Sequence, residues 1–231
     1  TEVADLNSSR KFGGSAGTQT AALCIGGQAP GVDNSPLVES WNGTSWTEVG
    51  DINTARRQQG GTGASNTAAL CVSGVPASPL VESFDGSSWT EIADVNTGVN
   101  RMSGGVIGTT AAALKVGGGI DPGANPGNAE SWNGTSWTEV GDTNTDRQSA
   151  AMSGSNTAAI YFGGVNAAET TFYDNTEEWD GSSWSEVADL ATARSELAGS
   201  KVGTSSAALA MAGFAPPYSN ATEEWDMSAS K

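Results

Sequence analysis

Histidine is absent from this chain of 231 residues. Its absence removes Ser-His-Asp and Cys-His chemistry and the commonest ligand of transition metals. Basic residues are scarce too, 10 against 26 acidic, for a net charge of −16. Such a surface repels phosphate backbones and anionic membranes, so no nucleic-acid partner is expected. No apolar run reaches the roughly 18 residues of a membrane-spanning helix, and no membrane insertion is expected. A signal-peptide pattern and an initiator Met are both missing, so the chain is expected to be a processed product or part of something longer. The two cysteines, Cys24 and Cys71, stand in matching contexts, A-A-L-C-I-G-G and A-A-L-C-V-S-G. Equivalent positions of neighbouring units lie too far apart for the ~4.4–6.8 Å Cα spacing of a disulfide, so both are expected as buried free thiols.

Repetition is what the chain has in abundance. E-S-W-N-G-T-S-W-T-E-V-G-D occurs twice without a change, at Glu39–Asp51 and Glu130–Asp142, with looser copies ending at Asp94 and Asp189. A fragment of another copy opens the chain at Thr1–Asp5. The Glu of its T/S-E-[VI] element stands at positions 2, 48, 91, 139 and 186. A period of this length means an array of one small supersecondary unit. Glycine is abundant, at 31 residues, but eight Trp and regularly spaced β-type runs argue against disorder.

Residues 56–95 show how one unit is built. A Gly-rich stretch from Arg56 to Gly63 suits an inner strand where neighbours crowd. The run 67–72 (T-A-A-L-C-V) suits a strand buried on both faces, and 80–84 (L-V-E-S-F) alternates. Asp85-Gly86 then predicts a two-residue hairpin turn with positive φ at both positions, and Trp89–Ile92 returns as a fourth strand. Four antiparallel strands repeated every 40–50 residues or so, with no helical period, predict an all-β, five-bladed β-propeller. The blades are expected at about 10–52, 56–95, 101–143, 147–190 and 194–227, with residues 1–6 supplying the last strand of the fifth blade and closing the ring. The closing hairpin carries one flaw: Met227–Lys231 stands where G-S-S-W is expected.

In this frame the chain resembles the kelch-repeat propellers over essentially its whole length. An Arg opens the first strand, as Arg10, Arg56, Arg147 and Arg194, with Arg101 offset by two residues. A Gly-Gly pair ends the second strand at 26–27, 117–118 and 163–164, weakened to Ser73-Gly74 and Ala212-Gly213. Aromatics flank the turn, Trp41, Phe84, Trp132, Trp179 and Trp225 before it and Trp46, Trp89, Trp137 and Trp184 after it. The shorter hairpin and the five blades depart from the usual pattern of that family. The near-identical copies also resemble, in style, repeat proteins of viral or bacterial surfaces. Copper oxidases that resemble kelch propellers bind their metal through His, so that activity is excluded here and no cofactor is expected.

The Trp pairs and the first-strand Arg are expected to serve packing and inter-blade hydrogen bonding. The link aspartates Asp5, Asp51, Asp94, Asp142 and Asp189 are expected to form turns, with a ring of carboxylates around an axial cation as the rival reading. The connections between second and third strands vary most, and loops on one face of a rigid scaffold usually carry function. Phe172, Tyr173, Asp174, Phe214, Tyr218 and Asp121 are therefore the expected ligand contacts. The sequence is read as a non-catalytic binding or attachment module for a glycan or protein surface, extracellular or on a virion. Two alternatives stand beside it: a structural component of a virion or other extracellular assembly, and an acid-residue glycoside hydrolase or lyase.

Overall fold

The structure is a computed structural model, and it describes residues 2–102, 104–120, 123, 126–201 and 204–226. It is an all-β, five-bladed propeller with no helix among the described residues. The first blade holds β1 (Gly14–Thr18), β2 (Ala21–Ile25), β3 (Val38–Trp41) and β4 (Trp46–Glu48), and the second β5 (Gly60–Ser65), β6 (Ala68–Val72), β7 (Val81–Phe84) and β8 (Trp89–Glu91). The third holds β9 (Val106–Gly108), β10 (Ala113–Val116), β11 (Ala129–Trp132) and β12 (Trp137–Val140). The fourth holds β13 (Ala151–Gly154), β14 (Ala159–Phe162), β15 (Thr176–Trp179) and β16 (Trp184–Glu186). The fifth holds β17 (Ala198–Gly199), β18 (Ala207–Met211) and β19 (Thr222–Asp226). Within each sheet the strands lie in chain order and run antiparallel.

The first strands are innermost, β1 against β5, β5 against β9 and β13 against both β9 and β17. Small residues let them crowd there: a Cβ on Gly61 would stand 2.6 Å from the Ser15 nitrogen. The second strands are apolar on both sides because each blade is covered twice, and β6, β10 and β14 are buried almost throughout. Four apolar clusters fill the junctions between blades 1 and 2, 2 and 3, 3 and 4, and 4 and 5. No fifth cluster joins blade 5 to blade 1 among the described residues. The side chains that repeat alignment places at that seam are correspondingly open, Val3 at 66% and Leu209 at 36% exposure.

Two local expectations change. The hairpin between third and fourth strands is a four-residue loop, since Trp41 pairs with Trp46 and Trp132 with Trp137. Only its glycines adopt positive φ, 96° at Gly43 and 91° at Gly134. The residue before each glycine works through its side chain: Asn42 Oδ1 accepts from the Thr44 and Ser45 N–H groups at 2.9 Å, an Asx turn. Asp85 and Asp180 do the same, and hydrogen bonds from the following serines hold both carboxyls at about 2.

The second change concerns the ends. Residues 2–6 run outside any strand, and the fifth blade has three strands among the described residues. No covalent turn presents this segment to β19, so pairing would cost it chain entropy that the hairpin-linked fourth strands do not pay. The segment instead leads into Asn7, whose backbone and side-chain N–H groups reach Glu39 Oε2 at 2.7 and 2.9 Å.

That contact is one copy of the device that joins every blade to the link before it. The third-strand glutamate is buried and accepts from link N–H groups: Glu82 from Asn53 and Thr54, Glu130 from Asn96 and Thr97, Glu177 from Asn144 and Thr145. On its other side it meets a buried cation, Arg10–Glu39 at 2.9 Å, Arg56–Glu82 at 2.8 Å and Arg147–Glu177 at 2.7 Å, with Arg194–Glu223 in the fifth blade. The link aspartates, expected as the turn-formers, are exposed; in four links the working residue is the Asn two positions later, and in the last Ala191 offers its N–H alone to Glu223 while Asp189 accepts from the Thr176 N–H. Blade 3 breaks the pattern. Val99 occupies the Arg position, and Lys115 on β10, directly opposite Glu130 in the ladder, supplies the cation at 3.2 Å. Arg101 is therefore not the offset member of the Arg set.

The thiols are free as expected, Cys71 buried and Cys24 half-buried at the open seam. Burial pushes the Cys71 thiol up, against the opposing influence of Arg56. The Trp pairs pack on one another, with ring centroids 5.3 Å apart in Trp41–Trp46 and 5.2 Å in Trp179–Trp184.

Candidate functional site

Arg101 belongs to a different column of the repeat. Two residues beyond each Arg position stand Phe12, Gln58, Arg101, Ser149 and Glu196, and all five hold left-handed φ angles of 60, 56, 56, 55 and 54°. Non-glycine residues pay about 1–3 kcal/mol for such strain, and it concentrates where a fold holds a site. Here it lets one main-chain bond pass from blade to blade. Gln58 donates to the Phe12 carbonyl at 2.7 Å, Met102 to Gln58 at 2.9 Å, Ser149 to Arg101 at 3.3 Å and Glu196 to Ser149 at 2.8 Å. The side chains of the five form a ring around the mouth of the propeller axis, and no chemical type repeats in it.

Above this ring lies a cavity of about 300 Å³, walled by the five blades' first-strand residues together with Glu169, Phe172 and Phe214 from two of the variable loops. One wall is aromatic: Phe172 meets Phe214 edge-on at 5.6 Å, and Tyr218 packs on Phe214 at 4.9 Å. Another part of the lining, Arg101 with Glu169, is polar. Arg101 binds Glu169 at 3.0 Å and Gln148 Oε1 at 3.3 Å, while Gln148 Nε2 donates to Glu169 at 3.4 Å. Both charged partners keep solvent access, 28% for Arg101 and 56% for Glu169, so the ion pair can exchange its partners for ligand hydroxyls. A larger hollow of about 490 Å³ lies along Lys11 and residues 28–31, but it is built from blade 1 alone and has no aromatic wall.

Of the residues expected to bind, Phe172, Phe214 and Tyr218 come together at this mouth. Tyr173 and Asp174 do not. Tyr173 is half-buried and tied by its main chain to Gly164 and Arg194, and the exposed Asp174 offers its carbonyl to Leu190. Asp121 lies outside the described residues. The sequence reading missed Phe12, Gln58, Arg101, Ser149 and Glu196, although the column is visible once each blade is aligned on its Arg. No group of three or more carboxylates and thiols gathers as a cation site among the described residues.

Further down the axis the last column of the first strands holds Gly17, Gly63, Gly108 and Gly154, all with positive φ. Blade 5 places Lys201 there, also left-handed at φ 46°. Lys201 lines a hollow of about 170 Å³ there, together with Gly17, Gly63 and Gly108. Lys201 Nζ crosses the axis to the Gly61 carbonyl at 2.8 Å and the Ser15 carbonyl at 3.3 Å. It thereby ties blade 5 to blades 1 and 2, next to the seam that has no apolar cluster. With no carboxylate beside it, desolvation pushes its amine from 10.5 down to about 8. Between those values the folded state has released the proton and the unfolded state still holds it, so this group makes stability rise with pH. The melting temperature of the wild type minus that of Lys201→Met is expected to increase from pH 8 to 10.5. A flat difference would show that the amine is solvated.

No protein-family model and no curated protein matches this chain.

Proposed function

We propose that this propeller is a non-catalytic binding module whose site is the axial mouth, and that it receives a saccharide unit of a surface glycan. The observation that carries this reading is one cavity lined both by the Phe172–Phe214 pair and by the Arg101–Glu169 ion pair, to which the buried Gln148 is hydrogen-bonded. A sugar ring has an apolar face of C–H groups that stacks on aromatics and a rim of hydroxyls that bonds to amides and charged pairs. Ligand pockets of about 300–1,000 Å³ fit small molecules, and this one sits at the lower end, suiting a single sugar residue. Within this reading the chain is a kelch-type propeller on the strength of its Arg, Gly-Gly and Trp columns, acting at an extracellular or virion surface.

A glycan array with the wild-type chain tests it, followed by Phe172→Ala/Phe214→Ala and Arg101→Gln on any sugar bound. Each variant is expected to weaken binding about tenfold or more while the thermal melt stays near that of the wild type. Wild-type chain that holds no sugar on the array, or binding indifferent to both variants, defeats the proposal.

A further inference from the structure

The five ring residues border a second hollow as well. A cavity of about 240 Å³ is lined by Phe12, Gln58, Arg101, Ser149 and Glu196 together with Gly13, the residue after Phe12. The same five line the aromatic cavity. The ring is thus a shared border between two compartments, and only one of them reaches Phe172, Phe214 and Glu169. Two charges stand on that border. Arg101 is engaged with Glu169 at 3.0 Å. Glu196 differs. Its main chain is fixed, with φ at 54° and its N–H given to the Ser149 carbonyl at 2.8 Å. Its exposed carboxylate meets no hydrogen-bond or ion-pair partner among the described residues. Lys11 lines the blade 1 hollow and neither of these cavities; its Nζ lies over the Phe12 ring, 5.0 Å from the centroid.

We infer that the mouth selects a sugar unit bearing a free amine, with its ammonium at Glu196 and its C–H face on Phe172 and Phe214; the inference rests on the saccharide reading of the site. A neutral hydroxyl finds donors and acceptors enough in Gln58, Ser149 and the Arg101–Glu169 pair, so it gains little from a further carboxylate. A cation gains both a charge-assisted hydrogen bond and attraction to the aromatic faces. The opposite sign fares badly. An acidic sugar paired with Arg101 has to displace Glu169 and lie in a cavity bordered by Glu196, on a chain of net charge −16. An N-acetyl group on the same nitrogen removes the charge and the advantage with it. Because Glu196 is exposed, solvent screening keeps the selectivity to a few-fold.

The test compares oligomers of glucosamine with the same oligomers of N-acetylglucosamine, titrated calorimetrically against the whole chain in low-salt buffer slightly below neutral pH. The free-amine form is expected to bind about fivefold more tightly, and Glu196→Gln should bring the two affinities to parity. Glu91→Gln removes one charge from an exposed fourth-strand position; it controls for general attraction to an acidic chain and should keep the preference. Three results overturn the inference and leave the saccharide reading standing. The wild type binds the acetylated oligomers as tightly, or binds only sugars without an amine; the preference survives Glu196→Gln; or Glu91→Gln loses it equally. A wild type that holds neither oligomer nor any other sugar on the array defeats that reading, and the inference falls with it.

Discussion

Arg147→Met is expected to destabilise the propeller by about 3–5 kcal/mol, because it strands a buried carboxylate. Glu177 is fully buried, and Arg147 is its only cation among the described residues, at 2.7 Å. The arginine also donates to the Tyr161 carbonyl at 3.1 Å and stacks over the Tyr161 ring at 4.5 Å. At about 2–4 °C per kcal/mol for a domain of this size, the thermal midpoint should fall by roughly 6–20 °C. Two companions separate the contributions. Glu177→Gln removes the charge and keeps one acceptor oxygen, for either the Asn144 or the Thr145 N–H, so Arg147→Met/Glu177→Gln should recover part of the loss. Glu177→Leu alone should be worse than Glu177→Gln, since it orphans the arginine and two link N–H groups together. Equal melting of Arg147→Met and wild type would mean that the pair is bystander to the fold.

The same device shows how far the sequence could be read. The glutamates at 39, 82, 130 and 177 and the arginines at 10, 56, 147 and 194 are recognisable as columns, but the inter-blade bonding expected of the arginine side chains is overturned, since each binds the third-strand glutamate and a second-strand carbonyl of its own blade. Blade 3 was opaque for a physical reason. Counting from the link selects Arg101 as the missing arginine, but the cation for Glu130 comes from β10, and only the ladder register that sets Lys115 opposite Glu130 reveals it. The repeat length, the hairpin position and the aromatic pairs were legible because each recurs with one chemistry. The axial ring was not, because Phe12, Gln58, Arg101, Ser149 and Glu196 share a backbone conformation and a place, and no side-chain type. A packing column keeps its chemistry constant; a column facing the open axial mouth is free to differ blade by blade. The loop aromatics fell between these cases: standing outside the repeat marked them all, yet only Phe172, Phe214 and Tyr218 converge, since Tyr173 points its role into the main chain.

Gly154→Ala carries the other large expected effect, and it examines why the inner strands are so poor in side chains. A Cβ at Gly154 would stand 2.3 Å from the Ala158 carbonyl oxygen and 2.9 Å from the Ala159 Cα, both main chain and neither free to swing away. Its φ of 114° adds a conformational cost that alanine cannot avoid. Overpacking of about 1–3 kcal/mol and backbone strain of about 1–3 kcal/mol act on the same atoms, so the loss should lie near 2–5 kcal/mol. Gly31 supplies the control. It also has positive φ, 77°, but a Cβ there meets nothing within 4 Å, so Gly31→Ala should show the strain without the collision. Urea midpoints of the two variants against wild type separate the effects, with Gly154→Ala expected well below Gly31→Ala. Matching midpoints would mean that β13 and β14 can part without penalty. In that event collision with the second strand of the same blade could not be what excludes side chains from Gly17, Gly63, Gly108 and Gly154.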